Sequence, residues 1–218
     1  MQAELIFDLL KALGETSQMV GIALILSIVL GIPLGLFLYL TSSGLFFQNK
    51  ILNFIGGLII NIVRSTPFVI LLVVLLPVTK LITGTTIGSG AASVPLSVAA
   101  IAFYARLVEA AFREVDKGVI EAAQAAGAKT RTIIYHVLLT EALPSLIVGI
   151  TVTAISLIGY SAMAGIIGGG GIGDLAIRFG YYRYQTDIML TTVVVLVLIV
   201  QGFQWLGDYS SKKVDKRS

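Results

Sequence analysis

The sequence predicts an all-α, polytopic membrane protein with five transmembrane helices and one short helix on the cytoplasmic side. Three observations predict it. Only 12% of the 218 residues are charged, about half the ~25% of an ordinary soluble domain. The charges are also segregated: no Asp, Glu, Lys, Arg or His falls in Thr16 to Asn49, Leu81 to Ala105, Ala142 to Gly173 or Ile188 to Gly207, and Ile51 to Thr79 is interrupted only by Arg64. Each window is long enough for the ~20 apolar residues that cross ~30 Å of hydrocarbon, and longer than the helices of a compact soluble core.

The segment before the first window holds Glu4, Asp8, Lys11 and Glu15. It is acidic and amphipathic, unlike the basic start and apolar run of a signal peptide, so an uncleaved segment is expected. The first span runs roughly from Met19 to Leu40. Its Gly31 and Gly35 have the small-xxx-small spacing that lets another helix approach closely, and Pro33 is expected to bend it. The second span reads as broken. Ile51 to Val63 is one helical piece, Arg64-Ser65-Thr66-Pro67 intervenes, and Phe68 to Val78 follows. Ser65 is expected to cap the second piece, with Pro67 near its first turn. Arg64 would cost ~2.5–3.5 kcal/mol at the centre of lipid, so it is expected near the cytoplasmic end or facing protein and water. The third span, about Ser89 to Leu107, leads into Arg106, Glu109 and Arg113, and the last two stand four apart in the favourable order for an ion pair.

The fourth span, about Ala142 to Ile166, carries Ser145, Thr151, Thr153, Ser156, Tyr160 and Ser161. Hydroxyls at 153, 156 and 160 recur at helical spacing, and Gly149, Gly159 and Gly165 permit close packing. Residue types leave two readings open: the hydroxyls glue helices together, or they line a polar path. The fifth span, Ile188 to Leu206, is rich in valine and leucine and reads as lipid-facing. Between the last two, Gly168 to Gly173 formally matches G-x-G-x-x-G, but no βαβ unit surrounds it, which removes a dinucleotide site. A flexible outer turn, with Tyr181, Tyr182 and Tyr184 as an interfacial aromatic belt, fits better.

Basic residues set the orientation. Lys50, Arg113, Lys117, Lys129, Arg131, Lys212, Lys213, Lys216 and Arg217 fall on one side, against Lys11, Lys80, Arg178 and Arg183 on the other. The N-terminus is therefore expected outside and the C-terminus in the cytoplasm. The pI of ≈ 9.2 reflects this asymmetry and is no sign of nucleic-acid binding. The polar island between spans three and four has its own structure. Asp116 is expected to cap a helix beginning at Lys117, with Val119, Ile120 and Ala123 on one side. Gly127 supplies a left-handed stop, and Thr130 caps a second helix from Arg131. A short exposed helix on a membrane protein suits insertion into a partner's groove.

Several chemistries are excluded. With no cysteine there are no disulfides, thiolate metal sites or cysteine nucleophiles. The single histidine, His136, reads as an interfacial polar residue. No G-x-x-x-x-G-K-[ST] loop is present to cradle nucleotide phosphates. The spans lack the paired charges of an ion-coupled transporter or channel, and no pair of catalytic groups suggests a membrane-embedded enzyme.

Glu121-Ala122-Ala123-x-x-x-Gly127, nine residues, then Val137-x-Leu139 resembles the cytoplasmic signature of ABC importer permeases of the type I fold. Arg64 to Phe68, Gly159 to Met163, the 168–173 glycines, Phe179-Gly180-Tyr181 and the overall length are similar, more narrowly, to the methionine permeases of that family. One departure is Thr140, where the family motif usually ends in proline, with Pro144 a turn later. The resemblance implies a bacterial cell-membrane protein with an external segment (1–15), a type I transmembrane domain (16–210) and a basic cytoplasmic tail (211–218). Within the domain, a coupling-helix loop spans about 113–136. Glu121, Ala122, Ala123 and Gly127 would couple to an ATPase. Two copies of the chain would form the pathway, two ATPase subunits would bind ATP and Mg, and a lipoprotein would deliver the amino acid from outside; no cofactor belongs to this chain. Ser65, Thr66, Ser156, Tyr160, Ser161 and Met163 are the candidates for pathway or gate. The soft thioether of Met163 suits a hydrophobic plug, contact with methionine, or filling of a packing gap. Permeases for osmoprotectants and other small solutes remain the alternative.

Overall fold

A computed structural model of the chain describes residues 2–215; Lys216 and Arg217, expected in the basic tail, lie outside them. In order, the helices are α1 (Gln2–Thr41), α2 (Lys50–Ser65), α3 (Phe68–Val74), α4 (Leu76–Thr83), α5 (Ser89–Arg113), α6 (Lys117–Ala125), α7 (Thr130–Thr132), α8 (Leu139–Ala164), α9 (Gly171–Leu175) and α10 (Thr186–Val214). π-Helical turns at Ile133–Leu138, Gly165–Gly169 and Ala176–Tyr181 join the later elements. Four helical stretches are long and apolar enough to cross a membrane: Ile6–Thr41, Ser89–Arg113, Thr130–Gly169 and Thr186–Val214. The bent pair Lys50–Ser65 and Phe68–Val74 provides the fifth crossing if taken as one span.

The core is built on α1 and α5. At Gly35 a Cβ would run into the Ala105 carbonyl and the Val108 side chain, and at Gly31 it would press on the Tyr104 ring. The small-xxx-small pair therefore does what its spacing predicts: it lets α5 lie directly against α1. Apolar residues gather into two main clusters. One, around Tyr39, Tyr104, Phe112, Ile133 and Leu138, lies at the end that carries α6. The other, around Met19, Phe68, Leu72, Leu96 and Leu157, lies toward the glycine-rich end. The outermost helix, α10, is nearly unburied along its apolar window, as a lipid-facing span should be. It meets α8 where Gly207 lies under Thr151.

Several details differ from expectation. The helix of the first span begins well before Met19: α1 runs without a break from Gln2 through Pro33 to Thr41, about 60 Å at 1.5 Å per residue. The second span does more than pause at its polar tetrad. The chain turns by 107° between α2 and α3, and a further short helix, α4, follows. Ser65 closes α2 instead of capping α3, whose first turn has no side-chain cap. Thr130 is the first residue of α7 and caps nothing; the residue before that helix is Lys129. The fourth span is longer than expected, because the π-helical turns carry it on at both ends.

Candidate functional site

The island folds as its sequence directs. Asp116 accepts a hydrogen bond from the Gly118 N–H at 2.6 Å and so fixes the start of α6, satisfying a donor with no partner inside the helix. Gly127, at φ +78°, ends it. Its N–H donates to the Gln124 carbonyl and that of Ala128 to the Ala123 carbonyl, which closes the last turn with left-handed geometry. Only Ile120 is buried among the helix residues, and it enters the cluster of Tyr39, Phe112, Val115 and Ile133. Glu121 and Ala122 are exposed, Ala123 is half-buried and Gly127 is exposed. Of the three residues expected on one apolar side, Val119 instead faces outward at 41% exposure. Beside α6 lies a cleft of ≈ 710 Å³ lined by Tyr39, Arg113, Lys117, Glu121 and Gln124 among others.

Behind the island, Glu109 pairs with Arg113 at 2.8 Å, as its spacing predicts, and also with Arg106. Arg106 reaches across to the Gly57 carbonyl and to Asn61, so it ties α2 to α5. The two arginines flank Glu109, whose side chain is only 8% exposed, and so give it the paired and hydrogen-bonded surroundings that a buried carboxylate needs.

The hydroxyls of α8 divide. Thr151, Thr153 and Ser161 are buried and donate to carbonyls of their own helix, those of Ile147, Gly149 and Ile158. They serve packing, and Ser161, expected on a path, faces the interior of its own chain. Ser156 and Tyr160 are half-buried, and the Tyr160 ring stacks on Phe68 at 4.7 Å between centroids. Met163 is exposed at 42%. It belongs to a stripe with Val148, Val152, Gly159 and Ile166, all exposed, and a Cβ at Gly159 would meet nothing within 4 Å. In the broken region, Ser65 is exposed, and Thr66 is half-buried with its hydroxyl donating to the Ile62 carbonyl. The α3–α8 stacking thus brings the break and the Tyr160–Met163 turn together.

The glycine run is held in place, which corrects the expectation of a flexible turn. Gly168, Gly170 and Gly171 take φ values of +90°, +75° and +86°, a region costly for side chains. Glu15 accepts from the Gly171 N–H at 2.7 Å and Thr16 from the Ile172 N–H at 3.0 Å. The Gly88 N–H donates to the Gly168 carbonyl. Two segments distant in sequence, at 15–16 and at 88, therefore fix this turn. Glu15 and Thr16 were not among the residues singled out from the sequence; their one local signal is the position of Glu15 as the last charge before the first apolar window. Tyr181, Tyr182 and Tyr184 are exposed just before α10.

The sequence profile of the "binding-protein-dependent transport system inner membrane component" family matches residues 31–216. The chain is 50% identical over 209 residues to the probable D-methionine transport system permease protein MetI of Vibrio cholerae serotype O1, covering 96% of this chain and 93% of that one. It is 51% identical over 180 residues to the methionine import system permease protein MetP of Bacillus subtilis, covering 83% and 81%. Among solved structures, it superposes with a TM-score of 0.96 and 42% identity on a chain of the MetNI methionine ABC transporter in an inward-facing conformation, covering 99% of this chain and 100% of the other.

Proposed function

Because the chain belongs to the family of binding-protein-dependent transport system inner membrane components, we propose that it is the permease subunit of an ATP-driven importer for D- and L-methionine. The observation that carries this reading is α6, a helix capped at both ends, anchored through Ile120 and otherwise turned outward. Such a helix transmits motion as a rigid peg. An ATPase subunit gripping Glu121, Ala122 and Ala123 would move Ile120, and with it the Ile133–Leu138 turn that leads into α8. Gly127 keeps the peg short and its exit angle fixed. ATP and Mg would be held entirely by that partner.

Two copies of the chain would meet along the exposed α8 stripe and enclose the path. Met163 would stand at the gate between them, with Ser156 and Tyr160 on the same side of the helix and Ser65 and Thr66 at the break beside them. The N-terminus would lie outside, where a binding lipoprotein delivers solute over the glycine-rich end, and α6 and the C-terminus in the cytoplasm. The names of the relatives and the local motifs at 64–68, 159–163 and 179–181 support methionine as the solute.

Purifying the chain with its ATPase subunit and following uptake of labelled amino acids and betaines into proteoliposomes tests the reading. Methionine uptake that requires ATP is expected; uptake of a betaine alone would assign the chain to osmoprotectant import. The gate is tested with Met163→Cys. Two copies should cross-link in at least one nucleotide state and the link should stop uptake, whereas no link in any state, with normal transport by Met163→Ala, would move the path elsewhere. Orientation is tested on the cysteine-free background. An impermeant thiol reagent applied outside should label Tyr184→Cys and leave Gln124→Cys untouched, and the reverse pattern would invert the topology.

A further inference from the structure

Arg64 stands at a depth where a charge needs a reason. The Asn53 side chain donates to the Leu38 carbonyl and to Thr41 Oγ1, which levels it with the end of α1 nearest α6. Arg64 lies eleven residues further along the same helix, about 16 Å at the helical rise, or roughly half the hydrocarbon thickness. Packing gives the same answer. Ile60 on one side of it joins Leu38, Ala102 and Ala105, and Phe68 on the other joins the cluster of Met19 and Leu96. Of the two places expected from the sequence, the helix rise favours the second: Arg64 stands about midway through the fold, against Phe103 and exposed at the mouth of the α2–α3 bend.

The guanidinium lies over the face of Phe103, 5.9 Å from the ring centroid, and no described carboxylate pairs with it. The nearest acidic residue in depth, Glu109, is already held by Arg106 and Arg113. Every other described acid lies by the glycine turn, in the α6 island, or within eight residues of the end of a long helix. A second copy related by a two-fold axis along the membrane normal offers its carboxylates at the same depths, so it supplies none either. A fixed mid-membrane cation that neither its own chain nor a symmetric partner neutralises calls for an anion from elsewhere.

We propose that Arg64 binds the carboxylate of the amino acid in transit, midway along the path; this rests on the reading of the chain as an amino-acid permease. The guanidinium fork matches a carboxylate with two parallel hydrogen bonds, and the Phe103 face holds the fork in place. The site needs to be transient, and one cationic contact beside the bend, across the break from Phe68 and its Tyr160 partner, gives a stop that the solute can leave.

The test uses the complete transporter, with its ATPase subunits and binding protein, in proteoliposomes, and compares uptake of labelled L-methionine with that of L-methioninamide. The binding protein's own preference is the same in every arm, so it cancels in the ratio between variant and wild type. Arg64→Gln should lower the methionine-to-amide ratio by about tenfold, the loss of one charge-assisted contact, while assembly and ATP hydrolysis are retained. Arg64→Lys should recover part of the ratio. An unchanged ratio in Arg64→Gln, whether total uptake falls or not, assigns the guanidinium to lipid phosphate or to packing and overturns the proposal. A wild-type complex that takes up no amino acid refutes the permease reading itself, a result separate from the ratio.

Discussion

Both ends of this molecule turn the chain on left-handed glycines, and they do it by different means. At the α6 end, Gly127 ends a helix whose cap, anchor and stop all fall between Asp116 and Ala128. At the other end, the turn of Gly168, Gly170 and Gly171 is braced by Gly88 and by Glu15 and Thr16, which accept from Gly171 and Ile172, 156 residues away in sequence. The first device is complete in itself. The second is a junction of α1, α5 and α9 whose geometry exists only while all three are packed. The molecule thus pairs a self-contained helix with a glycine turn assembled from its whole fold.

The contrast is broken most severely by filling the glycines. At Gly127 a Cβ meets nothing within 4 Å, so only the backbone resists it. Gly127→Val should cost ~1–2 kcal/mol of local strain and sever coupling: uptake is lost and less ATPase co-purifies, while the membrane helices stay folded. At Gly171 the added carbon would also strike Thr16 and Met19, so Gly171→Val should cost more, ~3 kcal/mol or above, and lower the thermal midpoint of the purified permease itself. Equal losses of stability at the two positions would show that the α6 end is as dependent on the whole fold as the other.

Legibility follows the same division. The caps of α6, its left-handed stop, the Glu109–Arg113 pair and the Gly31–Gly35 contact are local patterns, and the sequence displays each within a few residues. The spans are legible because hydrocarbon forbids charge over long windows. Arg106 joining Glu109, and Glu15 and Thr16 reaching the glycine turn, depend on tertiary proximity, to which a single sequence gives no access. The 107° turn after Ser65 was legible only as an interruption: the Arg-Ser-Thr-Pro tetrad announces a break in the helix but not its angle. For the hydroxyls of α8, residue type could not decide between glue and path, because serine and threonine satisfy themselves on their own helix carbonyls in either role.

A smaller effect separates holding the glycine turn from merely filling space near it. Glu15→Ala removes the acceptor of the Gly171 N–H and should cost ~1–2 kcal/mol. Glu15→Gln keeps an acceptor at the same reach and should recover most of that. Thermal unfolding of the purified permease distinguishes them, and uptake should fall with Glu15→Ala because the turn beside Met163 loses its brace. If both variants behave alike, the charge of Glu15 matters and its hydrogen bond does not, which would make this end an electrostatic feature and weaken the contrast drawn above.

The smallest effect belongs to the cap of α6. Asp116 accepts one bond from Gly118, and its loss in Asp116→Ala should cost about 1 kcal/mol, whereas Asp116→Asn, an equally good cap, should cost almost nothing. A helix of nine residues has little stability of its own, so the penalty should appear as fraying of its first turn rather than as unfolding of the permease. The measurement that isolates it is ATP hydrolysis against uptake in the same proteoliposomes. Asp116→Ala should leave the thermal midpoint unchanged and lower the uptake obtained per ATP hydrolysed by a few-fold, because a frayed peg yields when the ATPase moves it. A drop in the midpoint with unchanged coupling would mean that the cap supports the fold and that Ile120 alone transmits the motion.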